Sequence, residues 1–117
     1  MKRHNSFLLG SFQDMEIVGF KSLFGHTYPN SELTDALFRV ERGVGRHPGT
    51  YAEGFRRGGL MATYLIGPLL PLNPPFTRYL LEQMGAKDVH LAFEDTAMKA
   101  YRARVEEFRD EKRGYQY

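Results

Sequence analysis

The sequence predicts a mainly α protein: a single kinked transmembrane helix, an extended N-terminal arm and a C-terminal amphipathic helix, with no independent globular core. Three observations carry that expectation. No charged residue occurs from Gly58 to Thr77, a gap of 20 residues closed by Arg57 and Arg78. As helix, such a stretch rises ~30 Å, about the thickness of a bilayer's hydrocarbon core. Phe93, Ala97, Tyr101, Val105 and Phe108 then fall on one helical stripe in the last third of the chain. Finally, 117 residues with a mean hydropathy of −0.46 leave little other apolar mass to enclose the gap.

Residues 1–49 read as an arm. Over 1–29 the apolar residues Phe7, Leu8, Phe12, Ile17, Val18, Phe20, Leu23 and Phe24 follow no sustained period between Gly10, Gly19 and Gly25. Asn30 or Ser31 reads as a helix cap. Leu33, Ala36, Leu37 and Val40 follow at i, i+3, i+4 and i+7, which predicts a short helix over 31–42 stopped by Gly43. The loop 43–50 is glycine-rich, but its spacing is not that of a dinucleotide fingerprint, and Pro48 removes a backbone donor that a phosphate cradle needs.

Residues 50–73 read as the membrane segment. Its strongly apolar part, Leu60 to Leu72, is 13 residues long. Starting the helix near Thr50 restores a spanning length, with Tyr51, Phe55 and Tyr79 near the headgroup levels. Pro68 predicts a kink, and Asn73-Pro74-Pro75 predicts the end of the helix. Residues 74–117 read as a polar helical region. A short helical stretch ends at Gly85, and Asp88 caps a final helix over 89–113.

Composition bounds the chemistry. The chain has no Cys, which excludes disulfides and thiolate metal sites. Sixteen basic and 14 acidic residues are too balanced for a dedicated nucleic-acid binder, so no nucleic-acid partner is expected. His4, His26, His47 and His90 have no ligand spacing along a helix, so no metal is expected. Glu106-Glu107 and Asp110-Glu111 read as a solvated, ion-paired helix face. Ser6, Ser11, Ser22 and Ser31 stand in no nucleophile-elbow context. No catalytic or cofactor-binding residue is therefore expected. Two roles remain: Arg56, Arg57 and Arg78 as snorkelling contacts to lipid headgroups, anionic ones among them, and Phe93, Tyr101, Val105 and Phe108 as a partner-docking face.

Two resemblances bear on these readings. The segment Gly58-Gly59-Leu60, Leu70-Pro71-Leu72, Pro74-Pro75-Phe76 and Tyr79 resembles the small single-span accessory subunits of mitochondrial respiratory complex I. More broadly, Gly25-His26, Pro29, Asn30-Ser31, Pro48, Tyr51, Gly54, Arg57-Gly58 and Leu65-Ile66-Gly67-Pro68 resemble the amino-terminal arm and first span of photosystem I reaction-centre subunit XI. That family's chlorophyll-ligating histidine is replaced here by Ala62 and Thr63, and its two later membrane helices are replaced by a polar helix. The resemblances imply a non-catalytic accessory subunit of a bioenergetic membrane complex, acting in assembly and stability. Its partners would be other subunits and membrane lipids. It would lie in the mitochondrial inner membrane, or in the thylakoid as a photosystem I peripheral subunit. A soluble helical interaction protein is the other alternative. Eight Lys and Arg residues precede the gap and eight follow it, so charge asymmetry barely sets an orientation.

Overall fold

β1 (His4–Phe12) and β2 (Met15–Leu23) form an antiparallel hairpin in full register, from His4 opposite Leu23 to Phe12 opposite Met15. The computed structural model describes residues 3–28 and 35–114. Beyond the hairpin lie β3 (Phe38–Arg42), β4 (Ala52–Glu53), β5 (Phe55–Arg57), β6 (Leu60–Ala62), α1 (Leu69–Leu72), α2 (Pro74–Gln83) and α3 (Glu94–Arg109). The main sheet has the order β2-β1-β3-β4, and β5 and β6 pair as a separate ribbon.

The mainly α expectation is thereby corrected. β1 lies between two strands and is covered on both faces, so Phe7, Leu8 and Leu9 are all fully buried. A strand buried on both faces carries a continuous apolar run with no alternation, which is why residues 1–29 showed no period. Leu8, Phe12, Ile17, Phe38 and Val40 form one core with Leu37, Leu65 and Phe76 of α2. Phe7, Leu9 and Val18 form the other, against Val105 and Phe108 of α3. The sheet therefore separates two small cores, and the chain does enclose its own interior.

The helix expected over 31–42 gives way to β3. Phe38 and Val40 are buried while Arg39 and Glu41 are exposed, a period of two that the helical spacing of Leu33, Ala36, Leu37 and Val40 masked. Asn30, Ser31 and Leu33 lie outside the described residues. Gly43, at φ +106°, follows a strand rather than a helix.

The expected transmembrane helix is replaced by short separate pieces. Gly58-Gly59 turns between β5 and β6; residues 63–66 form no helix and meet β2 in one bridge at Ile66; Pro68 precedes α1 in extended geometry; and Asn73 separates α1 from α2. Among the described residues no helix is long and apolar enough to cross a membrane. Pro74-Pro75 starts α2 instead of ending a span, because the first helical turn needs no N–H donor. Gly85, at φ +95°, follows the end of α2.

α3 is shorter than the expected 89–113. It starts after Phe93, which sits in left-handed geometry, and ends before Asp110. Asp88, also at positive φ, belongs to the preceding loop. Phe108 stacks on Phe7 at 4.4 Å and meets Phe20 edge-on at 5.4 Å. The Tyr101 hydroxyl donates to Glu16 O at 2.6 Å, and burial raises its pKa. Arg42 reaches across from β3 to donate to Phe108 O and Asp110 O. That places a cation on the free carbonyls at the negative end of the helix dipole.

The outer edge of β2 is closed in an unusual way. Phe20 exchanges both backbone hydrogen bonds with Ile66, at 3.0 and 2.7 Å. Two residues away, the fully buried side chain of Asn73 plays the part of a strand partner. Its Oδ1 accepts from Val18 N at 2.7 Å, and its Nδ2 donates to Val18 O at 2.7 Å and to Leu69 O at 2.8 Å. Removing that amide leaves buried backbone groups without partners, at about 1–3 kcal/mol each. Asn73→Ala should therefore destabilise the protein by roughly 3 kcal/mol, read as a lower urea midpoint with an unchanged slope.

Candidate functional site

The polar centre of the molecule is a buried ion pair. Lys21, near the end of β2, and Glu53, on β4, are 5% and 0% exposed, with Nζ and Oε1 2.6 Å apart. Lys21 also donates to Gly45 O at 2.5 Å. The second carboxylate oxygen of Glu53 accepts from Thr63 Oγ1 at 2.6 Å and from Tyr64 N at 3.0 Å. Thr63 Oγ1 in turn accepts from Leu65 N at 3.1 Å. One carboxylate thus ties β2, the 43–50 loop, β4 and the 63–66 segment together. Such a pair is recruited by burial: neither charge tolerates this interior without the other.

Arg46 stands beside it and is also buried. Its Nε donates to Gly54 O at 2.9 Å, and its guanidinium lies 4.1 Å over the Phe55 ring. The Arg46 backbone is bonded on both sides, to Ala52 O and from Thr27 N, each at 2.8 Å. The 24–28 segment is thereby clipped to the 43–50 loop.

Three histidines meet at this end of the sheet. The rings of His4 and His26 are 4.5 Å apart, and Tyr28 stacks on His47 at 4.5 Å. His47 Nδ1 donates to Pro48 O at 2.8 Å. Burial lowers the His26 pKa, and the neighbouring His4, Lys21 and His47 lower it further. No set of three metal-ligating side chains among the described residues is arranged to hold an ion. Nothing in the sequence announced this meeting, because strand pairing and a loop create it.

A cleft of about 400 Å³ opens between α2, α3 and the β1–β2 turn. Met15, Pro74, Pro75, Tyr79 and Met98 give it apolar walls, and Arg78, Glu82 and Glu94 give it a charged rim. Arg78 pairs with Glu94 and donates to Val89 O at 2.9 Å, so its cation is already engaged.

The three arginines singled out by the sequence sit in three different surroundings. Arg56 lies 5.3 Å over Phe12 and reaches the Tyr79 hydroxyl at 3.4 Å. Arg57 is 87% exposed and faces Asp35 at 3.5 Å. Arg78 belongs to the cleft. Of the docking stripe, Val105 and Phe108 are buried and Tyr101 is bonded, all against this chain's own hairpin. Phe93 stands apart at 85% exposed. Lys21 and Glu53 were missed altogether, since 32 residues separate them and each sits among unremarkable neighbours.

The chain matches no family model and no solved structure. Among curated proteins it is similar to the GatD subunit of the glutamine-hydrolysing lipid II isoglutaminyl synthase of Staphylococcus aureus (strain N315). The two are 40% identical over 67 residues, 57% of this chain and 26% of that protein. The chain thus spans about a quarter of the length of that relative. This likeness to a bacterial enzyme subunit, and a fold with no membrane-crossing helix among the described residues, correct two expectations. The resemblances to complex I accessory subunits and to photosystem I subunit XI do not hold. Nor do the accessory roles and the mitochondrial or thylakoid membrane placements drawn from them.

Two outcomes follow from the polar centre. Lys21→Met leaves Glu53 buried and unpaired, at about 3–5 kcal/mol; adding Glu53→Gln removes the stranded charge and should return part of that loss, measured by chemical denaturation of both variants. Because the folded state holds His26 below its unfolded pKa, the unfolded chain binds the proton first as pH falls. Stability should therefore decline from about pH 6.5 downward, and His26→Gln should flatten that part of a Tm-against-pH profile.

Proposed function

We propose that this chain is a structural, non-catalytic part of a glutamine-hydrolysing subunit of the lipid II isoglutaminyl synthase type. It works in contact with polypeptide that carries the hydrolytic chemistry. The observation that carries this reading is the 40% identity to GatD over 67 residues.

The chemistry of the polar centre supports the non-catalytic half of the proposal. Hydrolysing the glutamine side-chain amide requires a nucleophile activated by a base, with a donor for the developing oxyanion. This chain has no cysteine. Among the described residues, the closest approach to a nucleophile and base is Thr63 beside Glu53. There the hydroxyl donates to the carboxylate and accepts from Leu65 N, while Lys21 neutralises the acid. Ser6 and Ser22 are similarly engaged, donating to Phe7 O and Asn5 Oδ1. All of these bonds hold backbone segments in place.

The test has two arms. The purified chain, incubated with L-glutamine, should release no ammonia above the buffer rate. A chimera in which the 67 matched residues of this chain replace the corresponding stretch of S. aureus GatD should fold and melt in one cooperative transition. Ammonia release by the isolated chain would overturn the non-catalytic assignment. A chimera that fails to melt cooperatively would overturn the relationship to GatD.

A further inference from the structure

The end of the sheet that holds the polar centre is short of acids. None occurs before Asp14, between Glu16 and Glu32, or between Glu41 and Glu53. Glu53 on β4 is already engaged by Lys21, Thr63 and Tyr64. Arg46 is buried, and its Nη2 has no acceptor. The groups that face His26 are all bases: His4 from β1, Lys21 from β2 and His47 from the 43–50 loop. A proton taken up by His26 therefore adds charge among cations, and histidine is the side chain that takes up protons just below neutral pH.

His26 lies on a weakly held segment. Residues 24–28 follow β2 and return to the 43–50 loop, where Thr27 N donates to Arg46 O at 2.8 Å. Among the described residues that is the single backbone hydrogen bond of the segment. Its ring contacts are Tyr28 stacked on His47 and the Arg3 guanidinium 5.4 Å over Phe24. One residue before Thr27, the His26 ring stands 4.5 Å from that of His4. His4 is held harder. It pairs with Leu23 in the hairpin, and beside it Ser22 Oγ donates to Asn5 Oδ1 at 2.8 Å.

We propose that residues 24–28 form an acid-released strap: when His4 and His26 are both protonated, their repulsion parts the strap from the 43–50 loop at the Thr27–Arg46 bond. His47 has a smaller part, because the Tyr28 ring stacked on it favours a charged imidazole. The direction follows from linkage. In the closed strap, burial first, then His4, Lys21 and His47, hold the His26 pKa below its ordinary value. Release removes those influences, so the open form binds the proton more readily. Closure is therefore complete above about pH 6.5 and is lost as pH falls below it.

Amide exchange of the isotope-labelled chain, followed by NMR from about pH 7.5 to about pH 5.5 and corrected for intrinsic rates, distinguishes release from unfolding. Over that range Thr27 N–H should lose protection roughly tenfold, the size expected for two like charges meeting near the surface. Val18 and Phe20 N–H, bonded to Asn73 Oδ1 and Ile66 O, should keep theirs. His4→Gln and His26→Gln should each hold Thr27 protection level with pH, whereas His47→Gln should retain the response. Sodium chloride at about 0.5 M should shrink the loss in the parent chain, since salt screens exposed charges.

Thr27 protection that is constant with pH in the parent chain, or that falls equally in His4→Gln, would refute the strap. A parallel fall at Val18 and Phe20 would also refute it, because it marks unfolding of the whole chain. So would a fall confined to the first residues of β1, which would make that strand the yielding part. If a glutamine variant folds poorly, salt decides: a loss in the parent chain that sodium chloride leaves undiminished overturns the proposal.

Discussion

The carboxylate of Glu53 is the point from which the rest of the arrangement hangs. It is fully buried and holds a lysine from one strand, a hydroxyl from another segment and a backbone N–H. A charge in that position is tolerated only when its partner and its hydrogen bonds are all present. The pair therefore selects one packing of β2, β4, the 43–50 loop and the 63–66 segment. Once Tyr64 N and Thr63 are anchored on Glu53, Leu65 enters the core and Ile66 reaches Phe20. Asn73 then completes the closure of β2 a few residues on. Two buried polar side chains, one charged and one neutral, thus substitute for strands that a larger sheet would supply.

The order of the chain explains which parts of this were legible in advance. α3 was visible because a helix packed on one face shows a stripe, and Tyr101, Val105 and Phe108 mark it. α2 was half visible through its glycine stop. β1 was not, because a strand buried on both faces has no polar side to alternate with. β3 was misread because Leu33, Ala36, Leu37 and Val40 imitate a helical repeat, whereas only Phe38 and Val40 alternate inward within the strand. The gap from Gly58 to Thr77 was read by its lack of charge. Its breakers were the better guide: Gly58-Gly59, Gly67-Pro68 and Asn73-Pro74 divide it into pieces, and each pair marks a real boundary.

The candidate site was almost wholly illegible, for a different reason. Lys21 meets Glu53 across the sheet, and His4 meets His26 through hairpin register and the bend after β2. Local sequence reports on neighbours along the chain, so a cluster assembled by pairing leaves no spacing to find. The arginines stood out in the sequence because they flank the gap. In the fold they take three separate roles: Arg56 over an aromatic ring, Arg57 at the surface and Arg78 in an ion pair.

The remaining tension lies in how the molecule distributes apolar surface. Each side of the sheet has its own small core, one closed by α2 and its neighbours, the other by α3. Neither core absorbs Leu60, Tyr64, Ile66 or Leu70, although they lie in the least polar stretch of the chain. Their exposure costs the fold little, since substitutions at exposed sites change stability by only about 0.5 kcal/mol. The charge gap is thus several elements in one uncharged stretch: Leu65 and Phe76 enter the core, while Leu60, Tyr64, Ile66 and Leu70 face outward.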